Sequence, residues 1–176
     1  MITEQDKTLE ALQAAIEMEI DGKECYLEAS KQSSNEVGKK LLQSLADEED
    51  IHRRKLRGIY EAIRSKKAWP AADFRPDHSS GLMSTFARTC EATGVSVNSV
   101  ASDFDAIKTA VEKEKKSYDF YNRQSQNAIY DAEKEFYRAV AAEERGHELV
   151  LLDYYEYLTD PAGWFVKTEH HSLDGG

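Results

Sequence analysis

Two stretches of the chain decide its fold: LADEEDIH at residues 45–52 and VAAEERGH at residues 140–147. Each residue of the second stretch follows its counterpart in the first by 95 positions. Both stretches place a Glu-x-x-His pair among small and apolar residues, and this three-residue spacing puts the two side chains on one face of a helix. The sequence therefore indicates two copies of one helical unit, related by a pseudo-two-fold axis.

The same offset of 95 residues connects the two halves of the chain without a gap. Glu19 corresponds to Glu114, and Tyr26 corresponds to Tyr121. Apolar residues recur at steps of three and four around these positions, which predicts amphipathic helices. Four long helices are predicted, at about residues 8–33, 36–67, 103–127 and 131–158.

Short links within each half predict two antiparallel helical hairpins, at about residues 8–67 and 103–158. Asn35 stands at the end of the first link, where its side chain is expected to cap the second helix. Pro70 and Pro161 follow the two hairpins and mark their ends, because proline cannot continue a helix.

The connection between the hairpins, residues 68–102, is long and contains proline and glycine, with one short helix expected at about residues 82–92. A single long crossover of this kind is the ferritin-like connection. We therefore predict an all-α fold, a ferritin-like four-helix bundle of two repeated antiparallel hairpins joined by a long crossover. One domain is expected to span residues 1–176, with the tail at residues 159–176 folded back on the bundle through Trp164.

Composition excludes several classes of protein. The 33 acidic and 23 basic residues give a net charge of −10, and a surface of this sign repels nucleic acid. The two cysteines are far apart and form no C-x-x-C pair, so a structural zinc site is not expected. No apolar stretch approaches the ~20 residues of a membrane span, and no signal peptide is apparent. A cytoplasmic protein without a membrane or nucleic-acid partner is the expectation.

Charged residues on the apolar stripes of the four helices predict a metal site. Four buried carboxylates would cost several kcal/mol per ion without compensating charge, whereas two divalent cations would balance them. One Glu from each of two helices and Glu-x-x-His from each of the other two is the donor set of di-iron and di-manganese proteins. Glu48 and Glu143, each one position away from a predicted ligand, are the nearest alternatives. The predicted ligands are Glu19, Glu49, His52, Glu114, Glu144 and His147.

Four segments, residues 15–26, 45–52, 111–121 and 140–147, resemble the rubrerythrin branch of the ferritin-like superfamily. The resemblance extends from about Leu9 to Leu158. It implies a site of two iron ions, with manganese as the alternative metal, that reacts with peroxide or dioxygen. By the same resemblance, Glu49 and Glu144 would bridge the two irons. Terminal ligands would be Glu19, His52, Glu114 and His147, in a pairing that the sequence leaves open.

Two departures from the family pattern affect the expected function. The chain carries no four-cysteine rubredoxin domain, so electrons are expected from an external donor such as a rubredoxin. Ser117 stands where rubrerythrins carry a further carboxylate, three residues after the ligand of the third long helix, and Gly22 is its counterpart in the first half. The remaining six ligands resemble the set of bacterioferritins and several di-iron oxygenases.

The resulting hypothesis is a di-iron oxidoreductase that reduces hydrogen peroxide. Iron handling with ferroxidase activity and hydroxylation by a di-iron oxygenase are the alternatives, and a metal-free interaction protein is the weakest of them. A homodimer is the candidate assembly. Tyr26 and Tyr121 lie two turns after Glu19 and Glu114, where each could support a ligand carboxylate, carry an electron or simply pack in the core.

Overall fold

The computed structural model of the protein describes residues 4–65, 69–70 and 78–173. Within these residues the chain forms six α-helices and no β-strand. No helix among them is both long enough and apolar enough to cross a membrane. The helices are α1 (Glu4–Gln32), α2 (Glu36–Arg64), α3 (His78–Thr93), α4 (Ala101–Asn127), α5 (Asp131–Thr159) and α6 (Pro161–Leu173).

The four long helices pair as α1 with α2 and α4 with α5, which confirms the all-α fold of two helical hairpins joined by a long crossover. Asn35 caps α2 as expected: its side-chain Oδ1 accepts a hydrogen bond from the Gly38 amide at 2.8 Å. The α2 helix ends at Arg64, earlier than the predicted residue 67, and residues 66–68 lie outside the described part of the chain.

Two apolar clusters fill the bundle, one toward each end. One includes Leu12, Leu56 and Tyr137, and the other includes Leu45, Ile107 and Leu151. Along every long helix the predicted metal ligands fall between residues of these two clusters. The apolar side chains therefore exclude water from both ends of the central polar layer.

The crossover contains a longer helix than the expected short segment at residues 82–92, since α3 runs from His78 to Thr93. Leu82, Phe86 and Cys90, spaced at four residues, bury one face of α3 against the bundle. Gly94 then adopts a positive φ of 72°, which suits glycine at the end of a helix. Residues 71–77 of the crossover lie outside the described residues.

The tail forms a helix, α6, that was not predicted from the sequence. Pro161 occupies its first position, where the missing amide hydrogen costs nothing, and Asp160 Oδ1 accepts the Gly163 amide at 3.0 Å. The Asp-Pro pair thus ends α5 and also begins α6. Trp164 is buried and anchors α6 on the bundle, which confirms its expected packing.

Candidate metal centre

The four long helices bring all six predicted ligands into one buried layer. Each of these residues is at most 3% exposed, although every side chain is polar or ionisable. Burial of this kind is costly unless the groups are compensated by opposite charge. The contributing residues are Glu19 from α1, Glu49 and His52 from α2, Glu114 from α4, and Glu144 and His147 from α5.

The donor atoms fall into two overlapping groups, and the atoms within each group lie within 4.8 Å of one another. Glu49 and Glu144 belong to both groups. This is the arrangement that two carboxylates shared between neighbouring metal ions would produce. The residues that complete the two groups are Glu19 with His52, and Glu114 with His147.

The histidine rings turn the same nitrogen toward the carboxylates. His52 Nδ1 lies 3.1 Å from Glu144 Oε1 and 3.5 Å from Glu19 Oε2. His147 Nδ1 lies 3.5 Å from Glu114 Oε2 and makes no hydrogen bond within the described residues. The two rings stack on each other, with centroids 5.7 Å apart. This similar placement follows from the repeat. The Nδ1 atom of His52 faces one donor group, and that of His147 faces the other.

Several buried polar atoms of the cluster have no hydrogen-bond partner among the described residues, namely Glu19 Oε2, Glu114 Oε2 and His147 Nδ1. Such atoms are rare in folded proteins unless a ligand or ion satisfies them. Carboxylate and imidazole donors together suit iron, manganese or zinc, whereas magnesium and calcium prefer oxygen alone. The donor set therefore fits two divalent transition-metal ions.

The ionisation of the cluster shows how unfavourable it is without cations. Burial and the nearby Glu49 carboxylate raise the pKa of Glu19 to about 8, and burial raises the pKa of Glu144 well above its ordinary value. Burial opposes the charged form of Glu49, but the nearby Glu19 carboxyl group and the two histidine rings lower its pKa well below the usual range. Burial would also lower the pKa of His52 and His147, yet the carboxylates that lie close to each ring raise both pKa values. The raised pKa values mean that bound protons reduce the negative charge of the metal-free cluster, as bound cations could do instead.

Two tyrosines support ligand carboxylates of the opposite hairpin. The Tyr26 hydroxyl on α1 donates to Glu114 Oε1, and the Tyr121 hydroxyl on α4 donates to Glu19 Oε1. Burial, reinforced by these carboxylates, raises the pKa of both tyrosines, so they remain protonated donors. In each carboxylate the other oxygen, Oε2, is left to face the cluster.

Glu143 makes a contact with His52 that the sequence pattern did not reveal. Its Oε2 lies 2.7 Å from His52 Nε2, on the side of the ring away from the cluster, and the residue is 1% exposed. Glu143 was considered as an alternative ligand, but it belongs to neither donor group. A carboxylate on the outer nitrogen orients a ligating imidazole and raises its basicity. His147 Nε2, in contrast, makes no hydrogen bond within the described residues.

Gly22 brings the α1 backbone close to the centre. A Cβ atom added at Gly22 would lie 3.4 Å from the Glu49 carboxyl carbon. A small side chain would therefore touch a shared carboxylate. Its counterpart Ser117 on α4 is half-buried.

Comparison with known proteins agrees with this geometry. The family model of rubrerythrin matches residues 10–155, which include all four long helices in most of their length and every predicted ligand. No curated protein and no solved structure gives a significant match. Proteins of the matched family bind iron, and the buried Glu and His cluster is compatible with a di-iron site. On the strength of the matched residues and the helical fold, the chain belongs to the rubrerythrin family.

Proposed function

We propose that the protein is a di-iron oxidoreductase that reduces hydrogen peroxide with electrons from an external donor. The observation that carries this proposal is the pair of donor groups that share Glu49 and Glu144. Ligands of one iron would be completed by Glu19 and His52, and those of the other by Glu114 and His147. Manganese is the alternative metal, because it accepts the same donors.

Two ferrous ions would supply two electrons that, with two protons, convert one peroxide molecule into two waters. The chain's own contribution is to hold and isolate the site. The apolar clusters on both sides exclude water, which strengthens every electrostatic interaction within the layer. The Tyr26 and Tyr121 hydroxyls donate hydrogen bonds to Glu114 Oε1 and Glu19 Oε1 and so fix the orientation of these carboxylates.

Ferroxidase or dioxygen chemistry is the second candidate, and the observation that favours it is Ser117. A hydroxyl at this position leaves six protein ligands, where rubrerythrins carry a seventh. If the preference for peroxide depends on that carboxylate, this protein should distinguish less sharply between peroxide and dioxygen.

Stopped-flow oxidation of the anaerobically reduced, iron-loaded protein separates these functions. We expect rapid oxidation by peroxide, a slower reaction with dioxygen, and multiple turnovers only with an added donor such as a rubredoxin and its reductase. Ser117→Glu is the matched variant, and it should increase the preference for peroxide. Rapid reaction with dioxygen and none with peroxide would reject the peroxidase and favour the ferroxidase or oxygenase.

A further inference from the structure

A row of aromatic side chains leads from the candidate metal centre to the outside of the bundle. The Tyr121 hydroxyl donates a hydrogen bond to Glu19, and the Tyr121 ring stacks on Tyr137 with centroids 6.1 Å apart. The rings of Tyr137 and Trp69 in turn pack edge to face, with centroids 6.0 Å apart. Tyr121 and Tyr137 are fully buried, whereas Trp69 is partly exposed after the end of α2. The row therefore connects a predicted ligand with solvent through three successive rings.

The internal repeat supplies a comparison, because each ring has a counterpart 95 positions away. Two of the three counterparts are also aromatic, but the middle one is aliphatic. The counterparts of Trp69, Tyr137 and Tyr121 are, in that order, Trp164, Leu42 and Tyr26. Leu42 is buried at 3% exposure in the other apolar cluster. All three members of this row are thus aromatic, whereas the corresponding set of three residues lacks the middle ring.

Polar partners distinguish the rings of the row. The Tyr121 hydroxyl has an acceptor, Glu19 Oε1, whereas the Tyr137 hydroxyl and Trp69 Nε1 have none among the described residues. A tyrosine that loses an electron becomes strongly acidic and must also lose its hydroxyl proton. The Tyr121 hydroxyl has a hydrogen-bond acceptor in this structure, whereas the Tyr137 hydroxyl has none among the described residues. Tyr137 is therefore suited to connect its neighbours, and Tyr121 is suited to hold an oxidising equivalent.

We propose that Trp69, Tyr137 and Tyr121 form the path by which single electrons pass between an external donor and the metal centre. The inference rests on the proposed redox function, because it assigns a route to the electrons which that function requires. A one-electron donor protein of the iron–sulfur or flavin class would be oxidised at Trp69, and oxidised metal ions held by the six ligands would accept the same electron. Two such transfers restore the two electrons given to each peroxide, and no bond within the chain changes.

Pulse radiolysis of the zinc-loaded protein tests the path without depending on peroxide turnover. Zinc accepts the same donors and undergoes no redox chemistry, and zinc content is measured first. Trp164→Phe provides the background, in which Trp69 is the sole tryptophan. Azide radicals then oxidise Trp69, and the loss of the tryptophan radical is followed together with the appearance of a tyrosyl radical.

We expect a first-order transfer that does not depend on protein concentration. Tyr137→Leu, which copies the aliphatic residue of the other half, should slow it by more than an order of magnitude. Tyr121→Phe should remove most of the tyrosyl radical. Tyr26→Phe is the matched control, because it removes the corresponding ligand-supporting hydroxyl outside the aromatic row, and it should leave the radical yield unchanged.

An unchanged rate in Tyr137→Leu, or equal losses in Tyr26→Phe and Tyr121→Phe, would overturn the path. Circular dichroism and zinc content of each variant show that the comparison is made between folded, loaded proteins. A wild-type protein that binds no zinc or iron would overturn both the metal centre and the path. A protein that shows the transfer but does not react with peroxide would overturn the proposed peroxidase and leave the path standing.

Discussion

The two helical hairpins offer the same ligands to the candidate centre but surround them differently. In both, a Glu and a Glu-x-x-His pair face the cluster, and a tyrosine from each hairpin supports a carboxylate of the other. The outer nitrogen of His52 meets Glu143, whereas that of His147 has no described partner. The repeat thus accounts for the two donor groups, while the residues that contact the outer nitrogens of the histidines distinguish one group from the other.

The largest expected effect comes from the two carboxylates that are shared by both donor groups. Glu49→Ala and Glu144→Ala should each weaken the binding of both metals, by more than the ~10–100-fold loss typical of a supporting residue. The two losses should be similar, because the repeat places these residues equivalently. Metal titration measures the affinity, and circular dichroism should show that both variants remain helical.

Either variant that bound two metals with wild-type affinity would show that its residue is not shared. Removal of Glu144, whose pKa is raised by burial and by neighbouring carboxylates, should also stabilise the metal-free protein, because it relieves repulsion in the buried layer. Thermal unfolding without metal provides this second, independent reading.

Metal loading should raise the melting temperature, and the increase should become larger as pH rises. The folded pKa of Glu19, about 8, exceeds its unfolded value, so the metal-free protein loses the stability due to this proton between about pH 4.5 and 8. The raised pKa values of His52 and His147 act in the same direction, since their contribution is present at low pH and lost as pH rises. Metal binding displaces these protons and is therefore favoured at higher pH.

Thermal unfolding of metal-free and metal-loaded protein across this pH range measures the difference. A melting temperature that does not respond to ferrous iron at neutral pH would contradict a site in the core.

Glu143→Gln should have a smaller effect on metal affinity, confined to the donor group that contains His52. The amide keeps nearly the same shape but removes the charge that faces His52 Nε2 at 2.7 Å, so metal affinity should fall by ~10–100-fold. Glu48→Gln, at the corresponding position of the other hairpin, should cost less, because His147 Nε2 makes no hydrogen bond within the described residues. Equal losses in the two metal titrations would mean that both histidines are supported in the same way.

The smallest expected effect concerns a helical glycine beside the centre. Ala is better than Gly in a helix by ~0.8–1 kcal/mol. Gly58→Ala should gain about this amount, because no described atom lies within 4 Å of its added Cβ apart from its chain neighbours and the backbone of its own helix. Gly22→Ala places its Cβ 3.4 Å from the Glu49 carboxyl carbon, an ordinary contact, and should gain no more than Gly58→Ala. Chemical denaturation of the two metal-free variants compares them. A larger gain at Gly22 would show that the backbone there is not held close to Glu49.

Much of the fold and of the ligand set could be predicted from the sequence, because helical periodicity and the internal repeat are visible in the order of the residues. The long helices, the Asn35 cap and the placement of charged residues on apolar stripes all follow from local patterns of three and four residues. The α6 helix was missed, because Pro161 was interpreted as a stop signal although proline also favours the first position of a helix.

Contacts between helices could not be predicted in the same way. The hydrogen bond between Glu143 and His52 joins residues 91 positions apart on different helices, and no periodicity within either helix records it. Trp69 lies outside the helices, so its approach to Tyr137 depends on the course of the crossover. Such contacts are set by helix packing, which depends on the whole set of facing side chains.

Anaerobic titration of the metal-free protein with ferrous iron tests the central claim most directly. If each of the two donor groups that share Glu49 and Glu144 holds one iron, each chain should bind two irons. We expect a titration endpoint at two irons per chain, and Mössbauer spectra of the loaded protein that show both irons in nitrogen- and oxygen-rich environments. No binding, or an endpoint at one iron that Glu114→Ala and His147→Ala leave unchanged, would contradict a centre built from both hairpins.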